Sequence, residues 1–221
     1  MKLTVYPQAP FTVDSGKLTF LQTNNPKFYS TIVLGCKNLD KIIISENDEI
    51  LELSSHLAYL GNGIDNVDLI TAFKTKLEME VIENLTESER QRLFQLDREV
   101  KSIFLGAAYL EELPLAIDDE WNLKKMAKYC GINILTSSMD NPYDIIKVII
   151  KLYHKFYPNK LMILNGLFNY LNSSQINDLI QMIKALDLYV LILDFSADFR
   201  KELAEKCRYY RVDSDFVRFN Y

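Results

Sequence analysis

Short apolar segments alternate along much of the chain with segments whose apolar residues recur every three or four positions. Residues 160–165 (KLMILN) and 188–195 (LYVLILDF) are apolar almost throughout, which is typical of strands buried on both faces of a parallel sheet. Residues 143–157 and 173–186 instead have the spacing of amphipathic helices. This alternation predicts an α/β fold with a mostly parallel sheet covered by helices on both faces.

The other predicted elements come from shorter signals. Asn25-Pro26 and Asn141-Pro142 each place a capping side chain before a proline, the pattern that begins a helix. Gly131 ends another predicted helix. The remaining predicted strands are residues 17–21, 132–135, 208–212 and 216–219, and the remaining predicted helices are 26–36, 121–129 and a short one near 199–205.

The middle of the chain has a different period. From residue 93 the spacing of apolar positions is that of a heptad seam, formed by Leu93, Leu96, Val100, Ile103, Ala107 and Leu110. Residues 86–89 (TESE) fit a capping box that starts this helix, and Pro114 is expected to end it. At 1.5 Å per residue the helix is roughly 35–40 Å long. With an earlier helix at 67–84 it makes an αα-hairpin.

We therefore predict an α/β head domain, residues 1–64 and 126–221, and a helical leg domain, residues 65–125. A long hairpin with a seam is expected to project and to self-associate. The alternative is that it packs on its own domain.

Charge separates the same two parts. The chain has 221 residues, of which 48% are hydrophobic and 25% charged, with a net charge of −5, as in a folded globular protein. Residues 65–125 hold 14 acids and 8 Lys/Arg, a net charge of −6, and the rest is nearly neutral at +1. A uniformly basic nucleic-acid binder is thereby excluded, whereas a local basic patch is not.

The cysteines and the lengths of the apolar segments indicate the cellular compartment of the protein. The three cysteines, Cys36, Cys130 and Cys207, form no CxxC pair and are predicted to be reduced thiols. No apolar stretch has the length of a signal peptide or of a membrane span. These observations predict a cytoplasmic protein.

Catalytic motifs are missing where the fold would place them. The turn after the first predicted strand, residues 22–27 (QTNNPK), lies where a P-loop would lie, but it has no glycine and Pro26 removes an amide. Asn165 stands where a Walker B strand would present an acid. The sequence also has no GxSxG or HExxH motif. We therefore predict that the protein is not an enzyme, with nucleotide hydrolysis by Asp194 and Lys27 as the rival hypothesis.

An acidic stretch follows the long helix. Clustered carboxylates suit a hard cation such as calcium, although the spacing is not that of an EF-hand. The alternative is a solvated helix end, with acids favoured near the next helix N-terminus. The candidate metal ligands are Glu111, Glu112, Asp118, Asp119 and Glu120.

A lysine stripe runs along the predicted helix at 143–157. Lys147, Lys151 and Lys155 are four residues apart and therefore share one face. Such a stripe can contact DNA phosphates, but it is more often only a solvated face. Three lysines in an acidic protein would bind DNA weakly unless oligomerisation multiplied the contacts.

The order of elements resembles that of the CRISPR-associated Csn-two family, the adaptation protein of type II-A CRISPR loci. The resemblance is carried mainly by residues 131–193, which read GINIL, TSSMDNPYDIIK, LMILNGLFNYLNSS and LYVLIL along successive elements. Residues 60–77 (LGNGIDNVDLITAFKTKL) are similar to the family's entry into the helical leg. The similarity extends over nearly the whole chain.

The resemblance implies a degenerate P-loop-type head and a homotetramer that forms a ring through heads and legs. It implies a non-catalytic, sequence-independent binder of double-stranded DNA ends that supports spacer acquisition in antiviral defense. The implied partners are the Cas-one/Cas-two integrase and the effector nuclease Cas-nine. A nucleotide-binding or hydrolysing P-loop-like protein and a protein-interaction scaffold for adaptation partners are the alternatives.

The resemblance also implies bound calcium. Glu111, Asp119 and Glu120 match acidic positions of the family's calcium-binding stretch, with Glu112 and Asp118 as neighbours that could substitute. This sequence departs at Leu113, Leu115 and Ile117, where family members carry more acids. For DNA, Lys124, Lys125 and Lys128 are second candidates after the lysine stripe on the 143–157 helix.

Overall fold

The computed structural model describes residues 1–63, 67–111, 113–134, 139 and 141–221. The chain divides into two compact units. The first, here the sheet unit, comprises Met1–Ile70 and Thr136–Tyr221, and the second, the helical unit, comprises Thr71–Leu135.

The strands are β1 (Lys2–Thr4), β2 (Phe11–Thr12), β3 (Thr19–Thr23), β4 (Ile43–Glu46), β5 (Glu49–Leu51), β6 (Leu57–Gly61), β7 (Leu161–Asn165), β8 (Val190–Phe195), β9 (Arg208–Val212) and β10 (Arg218–Asn220). The helices are α1 (Pro26–Asn38), α2 (Leu53–His56), α3 (Val67–Ala72), α4 (Lys74–Glu83), α5 (Glu87–Ala108), α6 (Leu123–Cys130), α7 (Pro142–Phe156), α8 (Ser173–Ala185) and α9 (Lys201–Ala204).

The main sheet of the sheet unit has six strands in the order β10-β9-β3-β8-β7-β6. All neighbours from β9 to β6 pair in parallel, and β10 pairs antiparallel with β9. Every residue of β3 is buried, as are the first four residues of β7. The continuous apolar runs therefore form central strands covered on both faces, and the predicted α/β fold with a mostly parallel sheet is confirmed.

A smaller antiparallel sheet, β2-β1-β4-β5, was not predicted. Strands β1, β2 and β4 each have one buried residue, and these residues, Leu3, Phe11 and Ile44, lie in the core. That core also contains Phe28 of α1 and Leu21 of β3, so the small sheet and α1 pack over one face of the main sheet.

Helix starts follow the predicted capping. Asn25 caps α1 and Asn141 caps α7, each with a proline at the first helical turn. The predicted strand at 132–135 is not formed by residues 132–134, which have no regular structure, and Leu135 lies outside the described residues. The boundary predicted at residue 125 falls within α6, which lies wholly in the helical unit.

The helical unit departs from the predicted hairpin in two places. The helix predicted at 67–84 is interrupted at Phe73 and forms α3 and α4. α5 has the predicted capping box at Thr86, but it ends at Ala108 and not at Pro114. After the helix, Leu110 N donates to Ala107 O and Glu111 N donates to Ala108 O, each across three residues. These tighter turns satisfy the last carbonyls, so the helix ends before Pro114 is reached.

Within the described part of the chain, no helix has both the length and the apolar character needed to cross a membrane.

Candidate functional site

The chain order places a candidate site at the carboxyl end of β3. After β3 the chain crosses to β6 at one edge, returns through β7 and β8 to lie beside β3, and then passes to β9 on the other side. The strand order thus reverses at β3. In open α/β sheets, ligands bind in the crevice outside the carboxyl ends of strands at such a switch point.

The start of α1, where a P-loop would lie, is closed by the protein's own groups. The Asn25 side chain accepts from Phe28 N at 2.9 Å and donates to Ser214 O at 2.8 Å. The backbone N–H of Asn25 donates to the Thr23 hydroxyl at 3.0 Å. Pro26 has no backbone N–H. Among the first four residues of α1, only Lys27 therefore has a backbone N–H without a hydrogen-bond partner in the described structure. This turn cannot wrap a phosphate as a glycine-rich loop does.

Asp194, near the end of β8, is a buried carboxylate beside this turn. It is 4% exposed and lies level with Gln22 of β3. Its Oδ2 atom is 3.7 Å from Arg200 Nε, which makes an ion pair longer than a hydrogen bond. Burial raises the pKa of the Asp194 carboxyl, and the nearby Arg200 only partly offsets that effect.

Gln22 is fixed by two contacts on the same side of the sheet. Its amide donates to Asp198 O at 2.6 Å, and its carbonyl accepts from the Tyr209 hydroxyl at 2.5 Å. Asn165, at the end of β7, donates to the Tyr29 hydroxyl at 3.0 Å. The ends of β3, β7 and β8 therefore all carry polar side chains held in place by neighbours.

Several polar atoms at this edge are buried without a hydrogen-bond partner in the described structure. Leaving such an atom unpaired costs about 1–3 kcal/mol, so the two amide oxygens among them are groups that a ligand or water would complete, whereas Asp194 Oδ2 and Arg200 Nε face each other as an ion pair. The atoms at this edge are Asn24 Oδ1, Asn165 Oδ1, Asp194 Oδ2 and Arg200 Nε. The sequence indicates Asp194 as the acid of the rival hydrolysis hypothesis and Asn165 only as the place where a Walker B acid is missing, whereas Asn24 and Arg200 stand in no recognisable motif.

Three of the predicted calcium ligands, Asp118, Asp119 and Glu120, contact cationic side chains of the helical unit. Lys125 Nζ is 2.6 Å from Asp118 Oδ2 and lowers the pKa of that carboxyl. Arg98 pairs with Asp119, and Lys101 donates to the backbone oxygen of Glu120 at 2.9 Å.

Of the other two predicted ligands, Glu111 is exposed and Glu112 lies outside the described residues. Among described residues, no group of three or more His, Cys, Asp or Glu side chains could hold a metal ion. Calcium binding stays a prediction.

Two of the predicted DNA-contacting lysines on α7 contact other side chains of the same helix. Lys147 Nζ is 2.7 Å from Asp144 Oδ1 and lies 4.4 Å from the centre of the Tyr143 ring. Lys155 Nζ lies 5.7 Å from the centre of the Phe156 ring, and Lys151 is exposed.

On α6, Lys124 and Lys128 are exposed, whereas Lys125 is paired with Asp118. Internal pairing thus reduces the positive charge that each lysine set offers to a phosphate backbone.

No family model matches the sequence, and no curated protein matches it. Solved structures match over most of the chain, and three of them are ATP-binding components of ABC transporters. An ATP-binding cassette in its ADP conformation has a TM-score of 0.49 and 10% identity over 95% of this chain and 84% of its own. An ATP-binding subunit has a TM-score of 0.47 and 17% identity over 96% and 81%. A dimeric bacterial cassette has a TM-score of 0.44 and 14% identity over 96% and 88%.

These comparisons correct three predictions. The predicted function as a non-catalytic, ring-forming binder of DNA ends in CRISPR adaptation is wrong, because the matching structures are ATP-binding cassettes. The prediction that the chain is not an enzyme is wrong for the same reason. So is the description of the protein as a ring-forming component of CRISPR adaptation. The alternative of a nucleotide-binding P-loop-like protein agrees better with them.

The family resemblance and the predicted partners, including double-stranded DNA, a homotetramer, Cas-one/Cas-two and Cas-nine, stay predictions. The similarity to the cassettes is one of fold. Ligand binding by this chain is therefore inferred only from its own residues.

Proposed function

We propose that this chain is a divergent nucleotide-binding protein built on a P-loop-like sheet. The observation that carries the proposal is the set of unpartnered, buried polar atoms at the carboxyl ends of β3, β7 and β8. They lie where the strand order reverses, which is the usual ligand position in an open α/β sheet.

The chemistry of these atoms suits a nucleotide. Asn24 Oδ1, Asn165 Oδ1 and Asp194 Oδ2 are acceptors, which pair with ribose hydroxyls or with the exocyclic amine of a base. Arg200 supplies a fixed positive charge, which pairs with phosphate. A purely apolar ligand would leave all of these atoms unpaired and is therefore disfavoured.

A magnesium site of the P-loop kind does not fit the residues present. That site needs a Ser or Thr at the end of the loop and an acid on the Walker B strand. Here the loop ends in Pro26 and Lys27, and the strand β7 ends in Asn165. Asp194 is an acid at this edge of the sheet, but its carboxylate faces Arg200. We assign no step to a metal ion.

Calorimetric titration with ATP, ADP and AMP tests the proposal. The wild-type chain is expected to bind at least one of them with a dissociation constant below about 1 mM. Arg200→Ala is expected to weaken binding about tenfold or more, because it removes the charge that pairs with phosphate. Arg92→Ala, at an exposed position of α5, is the matched control and is expected to bind as the wild type does.

Phosphate release measured in the same samples extends the test to hydrolysis. Burial raises the pKa of the Asp194 carboxyl above its ordinary value, so Asp194 is the acid or base to examine. Any release should therefore be abolished by Asp194→Asn. If none of the three nucleotides binds at a nucleotide concentration of about 1 mM, which is the weakest dissociation constant expected above, the proposed function is refuted.

A further inference from the structure

A cleft of about 550 Å³ opens in the sheet unit between the start of α8 and the segment that contains α9. This volume is within the range of small-molecule sites. The lining combines two phenyl rings, Phe168 and Phe199, with three cationic side chains, Arg200, Lys201 and Lys206. Glu202 is the acid among the lining residues, so the cleft has an excess of positive charge.

Arg200 connects this cleft with the unpartnered atoms at the strand ends. Its guanidinium lies over the Phe168 ring at 4.1 Å, and its Nε faces Asp194. The side chain is 35% exposed although its Nε atom is buried, so other atoms of the side chain reach the solvent. The contact with the Phe168 ring and the ion pair hold the guanidinium in a fixed position, which favours binding of an anion without a large loss of side-chain entropy.

The other two cations flank the same opening. Lys206 Nζ donates to Asn177 Oδ1 at 2.9 Å, which positions its charge beside the second turn of α8. Lys201 is exposed at the first residue of α9. Neither lysine forms an ion pair with an acid in the described part of the chain.

The start of α8 is more open than the start of α1. Asn172 and Gln175 form a reciprocal capping box, in which each backbone amide donates to the other side chain at 3.0 Å. The amides of Ser173 and Ser174, the next two of the helix, have no partner among the described residues. α8 therefore offers two free amides and the positive end of its dipole, where α1 offers one amide.

The aromatic residues supply a surface for a flat ring. Phe199 is 39% exposed and is held from behind by Tyr209 and Tyr221, with ring centres 5.4 and 4.7 Å away. Phe168 packs edge-on against Phe20 at 5.2 Å. An exposed phenyl face on a rigid support is suited to stacking a nucleobase, a contact worth about 1–3 kcal/mol per base in other proteins.

We infer that the base and the phosphate of the proposed nucleotide bind in this cleft, next to the strand-end atoms that Arg200 adjoins, and that the phosphate does not bind at the first turn of α1. The base stacks on Phe199, and the phosphate is bound by Arg200, by Lys201 and Lys206 and by the free amides at the start of α8. This inference rests on the proposed nucleotide-binding function and locates the ligand. The closed first turn of α1 and the open first turn of α8 are the two observations that separate these locations.

ADP titration of charge-reversal variants distinguishes the two locations. The double variant Lys201→Glu, Lys206→Glu is expected to weaken ADP binding at least tenfold. Lys27→Glu, which changes the charge at the P-loop position, is the matched control and is expected to leave ADP binding unchanged. Circular dichroism of each variant checks that the fold is retained.

Photo-crosslinking with azido-ADP gives a readout that does not depend on the variants folding. Labelling of a peptide containing residues 199–206 is expected. If ADP binds the wild type but Lys27→Glu abolishes binding and the label maps to residues 22–29, the inference is wrong while the proposed function stands. If none of ATP, ADP and AMP binds the wild type and azido-ADP does not label it, both are wrong.

Discussion

Asn25 is the residue that closes the P-loop position, and its loss should destabilise the sheet unit. Asn25→Ala removes the cap of α1 and leaves Phe28 N, a buried donor, without a partner. We expect a loss of about 1–2 kcal/mol in the free energy of unfolding. Asn122→Ala is the matched control, since Asn122 caps the shorter and more exposed α6, and a smaller loss is expected there.

Urea unfolding followed by circular dichroism measures both variants. An Asn25→Ala protein as stable as the wild type would mean that the first turn of α1 does not depend on this side chain.

Asp194 should make the protein less stable as the pH rises. Because burial raises the pKa of this carboxyl, the folded state keeps the proton at pH values where the unfolded chain has lost it. The stabilising contribution is complete below the ordinary value of 3.8 and is lost as the pH rises through the folded-state pKa. Asp194→Asn removes this titration and is expected to gain about 1 kcal/mol over the wild type at pH 7.

The gain should disappear toward acid pH, where both side chains are neutral, and urea unfolding at several pH values follows it. The exposed Asp215→Asn changes the net charge equally and is expected to leave stability nearly unchanged. A gain that persisted at acid pH would contradict the buried-charge explanation.

Elements specified by local signals could be predicted from the sequence, whereas elements specified by distant pairing could not. Strands β7 and β8 are continuous apolar runs, and Asn25, Asn141 and Thr86 are caps that act within four residues. The small sheet was missed because its strands have two to four residues each and form only by pairing β1 with β2 and β4.

The candidate site was only half predictable for the same reason. Asn165 and Asp194 follow from strand ends, since the carboxyl ends of parallel strands meet at one edge. The cleft joins Phe168 and Ser173 with Arg200 and Lys206, which lie about thirty residues later and carry no motif. Their convergence depends on the packing of α8 and α9 on the sheet, which the sequence pattern does not express.

The capping box of α5 is an element-scale feature that one substitution can test. Thr86 accepts from Glu89 N, and Glu89 Oε2 accepts from Thr86 N at 2.7 Å. Thr86→Ala is expected to destabilise the helical unit by about 1 kcal/mol and to speed amide exchange in the first turn of α5. Ser102→Ala, at an exposed interior position of α5, is the control and should be neutral or slightly stabilising. Unchanged exchange in Thr86→Ala would show that tertiary contacts, not the cap, hold this turn.

At the scale of the whole molecule, the two units differ in how their helices are stabilised. α8 has 13 residues, of which four are buried: Ile176, Leu179, Ile180 and Ile183. α5 has 22 residues and none of them is buried, and its apolar Ile103 and Phe104 are 73% and 66% exposed. Intrinsic propensity favours the longer helix, but most helical stability in proteins comes from packing of an apolar face.

Amide hydrogen exchange therefore discriminates between length and burial as the source of protection. If burial decides, amides of α8 and of the buried strands β3 and β8 exchange only on large-scale opening, and amides of α5 exchange at least about tenfold faster. If length decides, the order of the two helices is reversed. Exchange measured by mass spectrometry over a dilution series separates these outcomes. Protection of α5 that rises with protein concentration would mean that its exposed apolar face is covered by a second copy of the chain, since only association depends on concentration.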